Sequence, residues 1–201
     1  LEDYYGAIAD FTKAIEINPV YANAYRDRGF SKYTLKDYYG AIADYNRVIE
    51  LEPDKSFAYY LKGDAKIFID DYKGAIADFT KAIEIYPEDA SAYEGRGNSK
   101  GNLEDYYGAI ADFTKAIEIN PDFYQAYYER GNSKQDLEDY YGAIADYTKV
   151  IELNPDYANP YYNRGLAKHS LGDINGACSD VRKAVNLGRT DSLDFIGKVC
   201  N

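Results

Sequence analysis

Apolar and small residues recur along this chain at helical spacing, in blocks that alternate with short polar breaks. In the stretch Ala22–Lys55, this spacing predicts one helix over about 22–35 and a second over about 38–51. A break at Lys36-Asp37 separates the two, and Pro53 follows the second because proline cannot continue a helix. The pattern therefore predicts a pair of helices joined by a tight turn.

The helix pair recurs with a strict period of 34 residues. The period is marked by Pro19, Pro53, Pro87, Pro121 and Pro155, and by Gly-Ala-Ile-Ala-Asp blocks that begin at Gly6, Gly40, Gly74, Gly108 and Gly142. A degenerate copy begins at Gly176. A period of this length is typical of a solenoid, in which each unit buries its apolar face against its neighbours.

The period predicts one domain over 1–201. We expect the second helix of a truncated unit in 1–21, five complete units in 22–55, 56–89, 90–123, 124–157 and 158–191, and a short capping helix in 192–201. An aspartate precedes each second helix and is placed to accept hydrogen bonds from the unpaired amides of its first turn. These aspartates are Asp3, Asp37, Asp71, Asp105, Asp139 and Asp173.

The units resemble tetratricopeptide repeats, in a bacterial-type variant with Tyr-x-x-Arg-Gly-x-x-Lys in the first helix. In the unit 22–55 the residues that carry the resemblance are Tyr25, Gly29, Ala41, Tyr45 and Pro53, and four further units repeat most of them. The resemblance covers essentially the whole chain. It implies an all-α, right-handed superhelical solenoid of antiparallel helix pairs. Its first helices would line a groove that holds peptide segments.

Two positions depart from the motif, which usually has Leu and Tyr where this chain has Arg28 and Lys32. These positions lie one helical turn apart on one face, and every second helix carries an aspartate such as Asp44. We predict a ladder of Arg–Asp and Lys–carboxylate pairs, with the aliphatic stems packed and the charged heads near the surface.

Composition and charge argue against several classes of function. The net charge of −11 opposes binding to nucleic-acid phosphates, and no apolar run of membrane-spanning length occurs. The one histidine, His169, has no metal-ligating cluster around it in the sequence, and no nucleophile has a recognisable setting. We therefore expect no enzyme activity, no catalytic residues, no metal and no cofactor.

Cys178 and Cys200 are interpreted as reduced thiols, with Cys178 in a core, and composition favours a cytoplasmic location.

Residues that differ between otherwise similar units are not dictated by packing. On the first helices they form one stripe at helical spacing, where we predict that a protein or peptide partner binds. The predicted groove residues are Arg26, Phe30, Tyr60, Asp64, Asn98, Tyr128, Asn132, Gln135, Tyr162 and Asn163.

The resemblance adds detail at two of these positions. Peptide-clamping members of the family have asparagines at the places of Asn132 and Asn163, where they hold the ligand main chain. Tyr128 stands where those members have a carboxylate-binding lysine, which argues against an acidic C-terminal tail as the ligand.

A second hypothesis is self-assembly. Nearly identical units, a tyrosine-rich surface and an N-terminal helix without its partner could drive end-to-end stacking into homo-oligomers. The two hypotheses differ in whether particle size depends on protein concentration.

Overall fold

The structure is a computed structural model that describes residues 3–190 and 193–200, without the side chains of 193–195. Within these residues the chain forms twelve helices and no strand. The all-α prediction is confirmed. Residues 1–2, 191–192 and 201, which belong to the predicted N-terminal helix, last repeat and cap, lie outside the described residues.

The helices form two compact units. The first contains α1 (Tyr4–Ile17), α2 (Ala22–Thr34), α3 (Tyr38–Leu51), α4 (Ser56–Ile67), α5 (Tyr72–Ile85) and α6 (Ala90–Asn102). The second contains α7 (Tyr106–Ile119), α8 (Tyr124–Asp136), α9 (Tyr140–Leu153), α10 (Ala158–Ser170), α11 (Ile174–Asn186) and α12 (Leu193–Val199). The two helices predicted in 22–55 are therefore confirmed, and the first ends one residue earlier than predicted.

An aspartate caps the start of α1, α3, α5, α7, α9 and α11. At α3, a carboxylate oxygen of Asp37 accepts a hydrogen bond of 2.9 Å from the backbone N–H of Gly40. The five other aspartates do the same, at Asp3, Asp71, Asp105, Asp139 and Asp173. The predicted caps are confirmed, and each satisfies an amide that the first turn of a helix leaves unpaired.

A residue in the left-handed region makes the turn before most of these caps. Lys36 has φ 64°, and the equivalent Asp70, Glu104 and Glu138 have φ of 58°, 63° and 60°. Glycine takes this place once, at Gly172, with φ 82°. The turn lets the backbone N–H of Asp37 reach the carbonyl of Lys32 at 2.8 Å, which closes the end of α2.

Within each of the two compact units, the core lies between neighbouring helices, where small residues face large aromatic ones. Ala41 is fully buried beside Tyr45, and a Cβ atom on Gly29 would stand 2.7 Å from the Tyr45 ring. Phe79 has the same role in the next pair, where it packs against Ala75 and Ala92. The small residues of the motif thus allow the paired helices to approach each other closely.

The charge ladder is confirmed in the described pairs. Asp44 is 2% exposed and accepts from Arg28 Nη2 at 2.6 Å and Nε at 3.0 Å, while Lys32 Nζ lies at 2.7 Å. The same arrangement occurs where Arg130 and Lys134 meet Asp146, and where Arg164 and Lys168 meet Asp180. Asp78 has two lysines instead, with Lys62 Nζ and Lys66 Nζ each at 2.8 Å.

Cys178 and Cys200 form a disulfide, so their interpretation as reduced thiols is wrong. Their 22-residue separation fits no spacing pattern, but α12 packs against α11 and brings the two sulfurs together. Cys178 is 6% exposed, which confirms its place in a core. Disulfides persist mainly in oxidising compartments, so this bond runs against the cytoplasmic location favoured by composition.

Candidate functional site

A network of polar side chains links α8, α9 and α10 in the second unit. Its centre is Asn132, whose Oδ1 accepts a 2.8 Å hydrogen bond from the hydroxyl of the buried Tyr147. The same hydroxyl lies 3.3 Å from Oε1 of Gln135, one turn further along α8. Three predicted residues, Tyr128, Asn132 and Gln135, therefore share one face of α8, and α10 adds Asn163.

Asn163 connects α10 to this face. Its Nδ2 donates to the Tyr128 hydroxyl at 3.1 Å and to Asn132 Oδ1 at 3.0 Å. Asn132 in turn donates from Nδ2 to Oε2 of Glu129 at 3.0 Å. The two asparagines are thus adjacent, and their amide orientations are fixed by these bonds. That they hold the main chain of a ligand stays a prediction.

A cavity of about 290 Å³ lies beside the network. Its walls are Tyr124, Gln125, Tyr128 and Glu129 from α8, with Asn154 and Tyr157 from the segment between α9 and α10. The rings of Tyr124 and Tyr157 are steeply inclined, with centroids 6.2 Å apart, and the Tyr128 and Tyr157 centroids are 5.4 Å apart. The volume is at the lower end of the range for ligand pockets, which suits a single side chain.

Burial controls the ionisation of the site. It raises the pKa of the Glu129 carboxyl, although the hydrogen bond from Asn132 acts in the opposite direction. It also raises the pKa of the Tyr128 and Tyr147 hydroxyls, which therefore stay protonated at neutral pH. The site can offer hydroxyl and amide hydrogen bonds, aromatic faces and one partly desolvated carboxylate.

Tyr162, the remaining predicted residue of the second unit, lies apart from this network. The guanidinium of Arg189 stands 4.0 Å above the Tyr162 ring centroid and donates to Asn159 Oδ1 at 2.9 Å. Arg189 occupies the place where the repeat motif has proline. It holds Tyr162 through a cation–π contact.

Asp64 is the one carboxylate among the predicted groove residues of the first unit. It accepts a hydrogen bond from the Tyr33 hydroxyl, and burial raises the pKa of its carboxyl. Tyr60 packs against Phe79 with ring centroids 5.8 Å apart, and burial raises its pKa to about 12. Tyr60 therefore contributes to the core as well as to the stripe.

The other predicted residues of the first unit have local partners or lie at the surface. Arg26 pairs with the neighbouring Asp27 at 2.8 Å, and Asn98 donates to Glu94 at 2.7 Å. Phe30 is 52% exposed on α2. The contacts described for these three do not form a connected network like that around Asn132.

Sequence reasoning did not identify Tyr124, Asn154 and Tyr157 as residues of the site. A signal existed for Tyr124, because the same place in the other units holds a small residue. Those residues are Ala22, Ser56, Ala90 and Ala158. Asn154 and Tyr157 come from the turn that follows α9, which a search restricted to the first helices misses.

Comparison with protein-family models identifies the repeats. Models described as "Tetratricopeptide repeat" match residues 22–55, 58–89, 90–123 and 158–190, and one described as "TPR repeat" matches 132–172. The chain belongs to the tetratricopeptide repeat (TPR) family. A search of curated proteins gives no match.

Solved TPR structures share this fold. The crystal structure of MamA protein is 26% identical with a TM-score of 0.76, over 83% of this chain and 91% of that one. The crystal structure of YrrB, described as a TPR protein with an unusual peptide-binding site, is 24% identical with a TM-score of 0.75, over 92% and 96% of the two chains. MamA 41-end from Desulfovibrio magneticus RS-1 is 20% identical with a TM-score of 0.78, over 84% and 96%.

Membership of the TPR family makes this chain a protein-interaction scaffold, a class that is generally not enzymatic. In the part of the chain that the structure describes, no three His, Cys, Asp or Glu residues are grouped as metal ligands would be. Of the helices described, none has the length and hydropathy that a membrane crossing requires.

Proposed function

We propose that this TPR protein binds an extended or helical segment of a protein partner in a groove formed by the first helices of its second unit, α8 and α10. The connected network of Tyr128, Asn132 and Asn163 beside an open cavity carries this proposal. The network joins two consecutive first helices, so one peptide that lies across them could contact both.

The chemistry of the surface suits a peptide. Tyrosine gives rigid contact area at a small entropic cost, and asparagine can donate to and accept from a peptide backbone. Because the amides are already oriented by Tyr147 and Glu129, less ordering is needed when a ligand binds. YrrB, which shares the fold, is described as having a peptide-binding site, and this is consistent with the proposal.

Selection of peptides from a random displayed library tests this function. Peptides selected on the parent chain are measured by fluorescence anisotropy against the Asn132→Ala/Asn163→Ala variant, and we expect at least about tenfold weaker binding, or about 1.4 kcal/mol. Asn175→Ala makes the same change at an exposed position of α11 and serves as the matched control.

Two measurements keep the test interpretable. Thermal melting of each variant by circular dichroism checks that the loss of the Tyr147 and Tyr128 hydrogen bonds leaves the fold intact. Unchanged affinity of every selected peptide for a folded double variant would show that the groove around Asn132 is not the binding surface.

A further inference from the structure

The cavity beside the network has aromatic walls on several sides. Tyr124 and Tyr157 form a corner, because their rings are 73° apart, and Tyr128 closes it at 49° to Tyr157. Aromatic rings carry negative charge on their faces, so a cavity with three ring walls can attract a cation more than an anion. The aromatic walls therefore favour a positively charged occupant.

Glu129 adds a negative charge to the same cavity. Its carboxylate accepts one hydrogen bond from Asn132, and no described cation of the second unit pairs with it. The buried carboxylates Asp146 and Asp180 of the charge ladder, by contrast, each have an Arg and a Lys beside them. Glu129 thus lacks the cationic partner that a desolvated carboxylate ordinarily has.

The rim and the size of the cavity restrict the ligand further. Gln125 and Asn154 provide amide oxygens that can accept hydrogen bonds from an ammonium group. A cavity of about 290 Å³ is small for a drug-sized molecule but has room for one long side chain. The net charge of −11 also attracts a basic partner during encounter.

The geometry points to a lysine-binding site: we propose that the cavity receives the ammonium group of a partner lysine between Tyr124, Tyr128 and Tyr157, with Glu129 as its counter-ion. The proposal rests on the proposed function, since the lysine is an anchor residue of the bound segment. It gives a physical reason for a neutral aromatic side chain at position 128. A lysine there would supply the cation that we assign to the ligand.

A pair of small probes tests the site without any knowledge of the partner. Nα-acetyl-lysine methylamide and its norleucine analogue have closely similar aliphatic chains and differ in the ammonium group. Binding is followed by NMR on protein with labelled tyrosines. We expect saturable shifts at Tyr124, Tyr128 and Tyr157 with the lysine probe, and at least about tenfold weaker binding of the norleucine probe.

Two variants connect the preference to the named residues. Glu129→Gln keeps the size of the side chain and an acceptor for Asn132, and we expect at least about tenfold weaker binding of the lysine probe. Glu152→Gln makes the same change on the exposed side of α9, where Glu152 pairs with Lys149, and should leave binding unchanged. Tyr157→Leu removes an aromatic face but keeps an apolar wall, and should also weaken lysine binding severalfold. Equal binding of the two probes, or an unaltered preference in Glu129→Gln, would overturn the proposal.

The same design separates this proposal from the proposed function. If library peptides bind through Asn132 and Asn163 but replacement of their lysines by norleucine changes no affinity, the lysine site is wrong and the peptide groove stands. If no peptide is selected but the lysine probe binds through Glu129, the cation site stands and the peptide groove fails.

Discussion

Glu129 is a carboxylate among tyrosine rings with one amide donor, from Asn132. Burial raises its pKa above the ordinary 4.5, so the folded chain binds the proton more tightly than the unfolded chain. Its contribution to stability is then greatest below pH 4.5 and is lost as the pH rises through the folded-state pKa. Glu129 therefore contributes less to the free energy of unfolding of the unliganded protein at neutral pH than it does below pH 4.5.

We therefore predict that Glu129→Gln is more stable than the parent at neutral pH and has a flatter dependence of stability on pH above 4.5. Urea unfolding at acidic and neutral pH measures both effects, with Glu152→Gln as the exposed control. A Gln variant that is less stable at neutral pH would contradict the assignment. Since the same substitution is expected to weaken lysine binding, a stability gain would exclude unfolding as the cause of the binding loss.

Phe79 offers a second matched comparison at the scale of single residues. Its ring lies between two glycines, and a Cβ atom on Gly95 would stand 2.5 Å from the ring, whereas one on Gly63 would stand 3.2 Å away. Alanine favours the helix over glycine by up to about 1 kcal/mol at either position. The steric cost differs between the two, because Phe79 is fully buried and has little room to move.

We predict that Gly95→Ala lowers the free energy of unfolding by about 1–3 kcal/mol, as overpacking of a core does. Gly63→Ala should stay within about 1 kcal/mol of the parent, since its clash is mild and its helix propensity improves. Urea titrations of both variants provide the measurement. Equal effects at the two positions would show that Phe79 adapts freely on both sides.

For single residues, the sequence predicts which side chains belong to the candidate site better than it predicts the contacts between them. Variation between units identifies Asn132, Asn163 and Tyr128, because packing does not dictate them. It assigns Tyr147 only to packing, although its hydroxyl orients the Asn132 amide. That second role depends on the distance between side chains of two helices, which the sequence does not contain.

Among the elements, the charge ladder joins three successive helices in one contact. Arg130 on α8 binds Asp146 on α9 through two nitrogens and donates from Nη1 to Thr114 on α7 at 3.0 Å. The same 16-residue spacing separates Arg28 from Thr12 and Arg164 from Thr148. In one repeat Lys62 replaces the arginine, and the residue 16 positions before it is Asn46 instead of a threonine. The arginine therefore connects each of these repeats to the preceding one, a role that the motif alone does not reveal.

We predict that Arg130→Met lowers the free energy of unfolding by about 2–4 kcal/mol, because Asp146 stays buried with only Lys134 beside it. Lys149→Met removes an exposed pair with Glu152 and should cost less than about 1 kcal/mol. Urea unfolding of the two variants measures the difference. If Arg130→Met is as stable as Lys149→Met or more so, the ladder is not needed for folding.

The helices themselves follow from local rules that repeat along the chain. Asp37 as a cap and Pro53 beyond the end mark the bounds of α3 in the amino-acid sequence itself, and the same two signals mark α1, α5, α7 and α9. The Cys178–Cys200 bond follows from no such rule. It depends on how α12 packs against α11 at one position only, and a single contact leaves no periodic trace in the sequence.

For the whole molecule, the 34-residue period predicts the fold because each unit needs only its neighbours for burial. The period cannot distinguish a scaffold that binds peptides from a chain that stacks on itself, since both use the same repeats. The exposed residues of α1 are where the two hypotheses differ. No residue of α1 is buried, and Ile17 is 86% exposed.

We predict that the chain stays monomeric, with a mass of 22.7 kDa at all concentrations tested by sedimentation. The physical reason is its net charge of −11, since like charges oppose close approach of two copies. Salt screens this repulsion, with a Debye length of about 8 Å at physiological ionic strength and about 3 Å at 1 M, so both conditions should be measured.

Ile17→Asp is the matched variant, because it adds a charge to the exposed face of α1 without removing a core residue. A mass that rises with concentration in the parent and not in this variant would support end-to-end stacking through α1. The peptide-binding proposal would then depend on the Asn132→Ala/Asn163→Ala comparison alone.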